Sequence, residues 1–169
     1  RVPFGGAVRR RMRAAQSTCL FVYGTLMAEE VLSPLIGRVP ARRVGTILGF
    51  SRGCVRGESF PAVLRSGADD QVEGLLIEDL LPRELRALDY YEDEGYERVG
   101  VPVATADGDS VLAMCYLWPE ERRGEVELTR PWSYQGFREA LLEEFVRDVV
   151  LPCAAEAEEV ERQRSGIDR

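Results

Sequence analysis

Phe21-Val22-Tyr23-Gly24-Thr25-Leu26-Met27 is the stretch from which the rest of the chain can be read. Leu20 to Tyr23 is a short apolar run with aromatic and β-branched side chains, stopped by glycine, and reads as a buried strand. Beyond it, Met27, Val31, Leu32, Leu35 and Ile36 recur at helical spacing. The loop between them therefore lies where a strand ends and a helix begins. Backbone N–H groups at such a point have no partner of their own and face whatever sits above the strand, which favours a carboxylate or a phosphate. A plain tight turn is the other reading of the same residues.

The 169 residues suffice for one domain with a single core and no disulfide staples. A net charge of -7 argues against general nucleic-acid binding. No apolar stretch approaches the roughly 20 residues of a membrane span, so no membrane partner is expected. Cys19, Cys54, Cys115 and Cys153 stand far apart without a CxxC, as reduced, mostly buried thiols of an intracellular protein do. The absences narrow the chemistry further: the chain has no His, no Lys and no Asn, and every basic residue is Arg. Without His there is no Ser-His or Cys-His nucleophile pair and almost no zinc or non-haem iron site; without Lys there is no Schiff base and no P-loop lysine. Arg is a poor base. If the chain is an enzyme, its acid/base group is Asp or Glu.

Arg1 to Thr18 carries five arginines and no acid, as a flexible basic tail or the remnant of a transit peptide would. The organisation expected is a tail over 1–18, a domain over 19–152 and a charged helical extension or tail over 153–169, in a cytoplasmic protein, or an organellar one if the arginines belong to a transit peptide. Arg42 to Arg56 reads as one long extended stretch broken by Gly45, Gly49 and Gly53, with glycine bulges that help a sheet curl into a barrel. Pro61 opens a short strand, Ser66 to Asp70 has the composition of a hairpin turn, and Gln71 to Glu78 follows as a strand. Strands in series without helices between them argue for antiparallel pairing. Tyr96 to Ala104 and Val111 to Trp118 alternate around Asp107-Gly108-Asp109 as a second hairpin. Glu120 to Arg130 is a charged loop. A last helix follows Pro131-Trp132-Ser133-Tyr134, with Phe137, Leu141, Leu142, Phe145, Val146 and Val149 on one side and Pro152 ending or kinking it.

Chemistry is sought between these elements, where Pro82 opens a helix whose apolar stripe runs through Leu81, Leu85 and Leu88, and Gly95 closes it. Four residues on from Leu88 the same stripe lands on Glu92, an acid where the pattern calls for an apolar side chain. A carboxylate on a buried face at a helix C-terminus has a raised pKa, as a group that takes up and returns a proton requires. The other reading is structural, with Glu92 paired to Arg98 or held by tyrosine hydroxyls. Asp89, Asp93 and Glu94 read as a solvated acidic cluster, with a weak cation site as the alternative. Tyr23, Tyr96 and Tyr116 either donate in a pocket or simply pack, and Trp118 and Trp132 read as core aromatics.

Phe21-Val22-Tyr23-Gly24-Thr25-Leu26, Phe60-Pro61-Ala62, and Leu88-Asp89-Tyr90-Tyr91-Glu92-Asp93 followed by Tyr96-Glu97-Arg98, in this order and spacing, resemble the γ-glutamylcyclotransferase-like family, in its avirulence-induced-gene-like (plant-type) branch. The resemblance runs from about Cys19 to Val150. It implies an α+β fold: a small mixed, mainly antiparallel β-barrel flanked by helices, with a cavity at the Tyr-Gly-Thr-Leu loop. It also implies a small-molecule γ-glutamyl substrate held by Tyr23, Gly24, Thr25, Leu26, Met27 and Ala28, and Glu92 as general acid/base, with no metal, nucleotide or cofactor needed. The substrate α-amino group then attacks its own γ-carbonyl, releasing 5-oxoproline and a free amine or amino acid; a non-catalytic binding or regulatory module on the same scaffold is the alternative. Thr25 replaces the family's common Ser, Leu26 stands where dipeptide-specific members often have Asn, and Met27-Ala28-Glu29 replaces the Trp usual in the glutathione-specific branch. γ-Glutamylamines gain ground accordingly. Ser133 and Gln135 stand where relatives are often acidic. A monomer or weak dimer is expected.

Overall fold

In the computed structural model, which describes residues 18–167, the opening run is strand β1, Thr18–Val22. Its side chains alternate between two interiors: Phe21, with Tyr23 just beyond the strand, enters the barrel, and Leu20 and Val22 enter a cluster shared with the helices. Burial on both faces explains why the run is continuously apolar.

The barrel is closed by β1, β5 (Gln71–Leu80), β2 (Arg42–Leu48), β6 (Glu97–Thr105) and β7 (Ser110–Leu117), in that order. Every pairing is antiparallel except β1 with β7, where Leu20 and Phe21 lie beside Met114 and Cys115 in parallel. Phe21, Ile47, Leu76, Val103 and Cys115 fill the interior, all fully buried. The α+β, mainly antiparallel barrel expected from the sequence is the observed fold.

The expected single stretch from Arg42 to Arg56 is two strands in two sheets. Gly49, at φ +81°, turns the chain out of β2 and into β3 (Phe50–Val55), which joins β4 (Pro61–Arg65) and β8 (Val126–Glu127) in a separate antiparallel sheet. Gly45 and Gly53 sit in regular register and make no bulge; the irregularity in the barrel falls in β1, between Thr18 and Leu20. The turn at Ser66 to Asp70 is likewise no hairpin, since β4 and β5 belong to different sheets. Val55, Ala62, Leu64, Trp118 and Val126 pack together at this second sheet.

Helix α1 (Glu29–Ile36) buries Val31, Leu32 and Leu35. Helix α2 (Pro82–Glu92) starts with proline in its first turn, as expected, and its stripe holds at Leu88, fully buried, and Leu85, packed on the core, whereas Leu81 precedes the helix and is exposed. Glu84 is buried in its place: Arg38 reaches it from beyond α1 with Nε at 2.6 Å from Oε1 and Nη2 at 2.7 Å from Oε2, and the Leu81 N–H donates to it at 2.9 Å. Nor does Gly95 end the helix; Asp93 does, at φ +54°, ahead of a tight turn over Asp93–Gly95. The last helical region has three pieces, α3 (Tyr134–Ala140), α4 (Leu142–Phe145) and α5 (Leu151–Ile167), with a wide π turn over Val146–Val150. That turn carries the chain into α5 past Pro152, so the proline neither ends nor breaks the helix. The extra residue also rotates the apolar face, leaving Val149 exposed and Val150 buried, while Leu141 is exposed at the break between α3 and α4. Helix α5 lies against α1 and α2. No helix among the described residues is long and apolar enough to cross a membrane. The arginine-rich segment before Thr18 lies outside the described residues.

Candidate active site

Beside the end of β1 opens a cavity of about 530 Å³. Tyr23, Gly24, Thr25 and Leu26 form one side of it, and Tyr91 and Glu92, from the last turn of α2, form another. The loop and the acid singled out in the sequence therefore meet in one cavity. Met27 and Ala28 do not line it: the Met27 carbonyl accepts from Arg42 Nη1 at 3.0 Å, and Ala28 is fully buried at the start of α1.

Gly24 leads into a single tight turn, Thr25–Met27, in which the Met27 N–H bonds the Gly24 carbonyl at 3.0 Å and the Ala28 N–H bonds that of Thr25 at 3.1 Å. The N–H groups of Gly24, Thr25 and Leu26 make no hydrogen bond among the described residues. Three successive free donors are what the first turn of a helix leaves. Glycine is required here by close approach, because a Cβ on Gly24 would stand 2.8 Å from the Pro61 ring.

Glu92 has neither a hydrogen bond nor an ion pair among the described residues. Arg98, its expected structural partner, is taken by Asp89 at 3.0 Å, and Asp89 also accepts from the Tyr116 hydroxyl at 2.7 Å. Asp89 is thus a paired, half-buried residue that separates from the exposed Asp93 and Glu94. With no partner to favour its charge, burial pushes the Glu92 carboxyl up to about 8.

The tyrosine hydroxyls around it are mostly committed. Tyr23 donates to the Tyr116 carbonyl at 2.6 Å and Tyr96 to the Pro61 carbonyl at 2.9 Å. Burial raises both phenols well above their ordinary range, and the nearby Glu92 carboxylate adds to the effect. Tyr91 escaped the sequence reading: its hydroxyl lies 2.8 Å from Thr25 Oγ1, tying α2 to the loop. The signal was only its place beside Glu92. Trp118 is a core aromatic, as read, and its ring also lines the cavity; it stands edge-on to Tyr96 at 5.1 Å, with the Arg122 guanidinium 4.2 Å from its ring. Trp132 does pack, against Phe137. Ser133 caps α3 by accepting the Gly136 N–H at 3.0 Å. All four cysteines are unpaired.

The model of the family described as gamma-glutamyl cyclotransferase, AIG2-like matches residues 20–134, and the chain belongs to this family. AIG2-like protein C of Arabidopsis thaliana is 32% identical over 128 residues, which are 75% of this chain and 73% of the relative. AIG2-like protein D of the same plant is 29% identical over 130 residues, 76% of this chain and 84% of the relative. A solution structure of another Arabidopsis thaliana protein aligns with a TM-score of 0.62 at 26% identity, covering 79% of each chain.

Proposed function

We propose that the protein is a γ-glutamylcyclotransferase that releases 5-oxoproline and a free amine or amino acid from a γ-glutamyl compound. The observation that carries this reading is Glu92, an unpaired acid with its pKa raised to about 8, in one cavity with the free N–H groups of Gly24, Thr25 and Leu26.

The reaction closes a five-membered ring within one bound molecule. The α-amino nitrogen forms a bond to the γ-carbonyl carbon, and the bond from that carbon to the leaving nitrogen breaks. Glu92 accepts the proton that the attacking amine loses and delivers it to the departing nitrogen, so the carboxyl returns to its starting state. An acid with a pKa near working pH suits both halves of that transfer. The loop amides are placed to steady negative charge as it grows on the carbonyl oxygen. Because the attack is intramolecular, a bound conformer near the attack geometry supplies much of the acceleration, with effective molarities on the order of 10⁵ M or more for well-oriented groups. A cavity of about 530 Å³ leaves room beyond the glutamyl portion for the leaving group. Leu26 in its wall offers no amide side chain, which favours a γ-glutamylamine over a γ-glutamyl dipeptide.

The test is to incubate the protein with γ-glutamyl dipeptides, γ-glutamyl-ε-lysine and glutathione and to measure 5-oxoproline. The expected result is product from at least one, none from a Glu92→Gln variant that folds normally. Absence of product from every substrate at high protein concentration overturns the reading.

A further inference from the structure

Arg52 reaches the candidate loop from outside the cavity. It stands on β3 and donates from Nη1 to the Tyr23 carbonyl at 2.7 Å, while its guanidinium lies 5.6 Å from the Trp132 ring. It does not line the Glu92 cavity; it faces a separate one of about 290 Å³ shared with Asp70, Glu73 and Trp132. Arg52 is half-buried, yet among the described residues it forms no ion pair with a carboxylate. Burial lowers its pKa, and Tyr23 and Glu73 only partly offset that. A guanidinium taken from water ordinarily gains a carboxylate in return. This one gains a backbone carbonyl and an aromatic face.

We propose that Arg52 is a positioning residue: by holding the Tyr23 carbonyl from behind, it fixes the Gly24 N–H toward the Glu92 cavity. The peptide bonds are trans, so the Tyr23 carbonyl and the Gly24 N–H point in opposite directions. A carbonyl turned to Arg52 therefore turns the N–H to the other side, where Gly24 lines the cavity. Rotation of this peptide is least hindered at a residue without a Cβ, and the charge-assisted bond to Arg52 opposes it. The same bond draws electron density from the amide and makes its N–H a stronger donor. At the other end of the loop Arg42 holds the Met27 carbonyl, but Arg42 is also paired with Glu29, whereas Arg52 has no such anion. The catalytic consequence rests on the cyclotransferase reading; the orientation of the amide does not.

The experiment uses Arg52→Met and Arg52→Lys in uniformly ¹⁵N-labelled protein, with 5-oxoproline kinetics on the same preparations. In Arg52→Met the Gly24 amide resonance moves while those of Gly37 and Gly108, remote glycines in turns, stay in place. Its kcat falls about 10- to 100-fold with KM nearly unchanged, less than the ~10²–10³-fold of removing an oxyanion donor outright, because the Gly24 N–H is loosened and not lost. Arg52→Lys, with the charge and one donor retained, recovers part of both. An unmoved Gly24 resonance, or a loss confined to KM, overturns the proposal. If the unsubstituted protein yields no 5-oxoproline, the cyclotransferase reading fails by itself, and the Gly24 resonance still decides whether Arg52 holds the loop. If Arg52→Met does not fold, Arg52→Lys carries the same readouts, with a smaller displacement of Gly24 expected and none overturning the proposal.

Discussion

At the scale of the residue, the raised pKa of Glu92 ties activity and stability to pH in opposite directions. An unfolded chain ionises this carboxyl near its ordinary value, whereas the folded protein keeps it protonated up to about 8. Between those values the native state binds the extra proton, so stability is greatest below the ordinary carboxyl range and falls as pH rises toward 8. The proposed base, by contrast, gains activity as it ionises. The expected outcome is a kcat/KM that climbs through an apparent pKa near 8, while the urea midpoint declines over the same interval. Glu92→Gln flattens that decline and is the more stable protein at alkaline pH, by about 2 kcal/mol given about 1.4 kcal/mol per unit and the solvent that reaches the side chain. A midpoint that responds to pH identically in both proteins rules out a buried, proton-holding Glu92. The acid was legible in the sequence because a helical stripe makes a definite demand at each position, and Glu92 violates it. Tyr91, Arg42 and Arg52 were not, since each acts through a hydrogen bond to a residue distant in sequence, and no periodicity encodes such a partner.

At the scale of the element, α2 carries an acid out of bulk water at each end, with opposite consequences. Glu92 at the end is unpaired; Glu84 in the first turn is paired with Arg38 and caps the Leu81 N–H. Burial pushes the Glu84 carboxyl up, but the Arg38 and Leu81 bonds more than offset that and leave it below its usual range. Its contribution is therefore present above the ordinary carboxyl range and lost as pH falls through the lowered value. Glu84→Gln is expected to cost about 2 kcal/mol near neutral pH, less than a fully buried pair because the Arg38 side chain is 41% exposed. The difference shrinks in acid, and a pH-independent difference assigns the loss to packing instead. Sequence reading placed this helix and most of its stripe correctly, with Leu85 and Leu88 on the core, but not its first member: Leu81 looked like part of the stripe because it is apolar, yet it precedes the helix, and a cap position answers to backbone hydrogen bonding before burial. The same limit applies at Leu141 and Val149, where a face drawn at constant helical spacing is interrupted by the break between α3 and α4 and then rotated by the π turn before Pro152.

At the scale of the whole molecule, the site joins two bodies of different character. The barrel supplies the loop, and its strands are tied all round by backbone hydrogen bonds, so none of the five has an unpaired edge. The hairpin of β6 and β7 was legible from alternation about Asp107-Gly108-Asp109, but closure was not, since it depends on β1 lying parallel to a strand about 90 residues away. The acid comes from α2, which has no such ladder and leans on α1 and α5. Its ties to α5 are the Arg86 ion pair with Glu161 and the Tyr90 hydroxyl bonded to Glu156 at 3.1 Å, both at the surface, where solvent screens them and they add little. The dry part of the contact is correspondingly narrow: Cys153 and Ala154 pack on the core, and Ala157, one turn before Glu161, is buried. A charge at position 157 is desolvated if α5 stays docked, so Ala157→Glu favours undocking. Amide exchange then quickens first in α5 and the last turn of α2 while β2 and β5 keep their protection, because cooperative units open separately when few buried contacts join them. If Glu92 acts from that turn, 5-oxoproline formation falls in step with the local opening, well before the barrel melts. Exchange that quickens equally in barrel and helices shows instead that α5 is part of one cooperative unit with the strands.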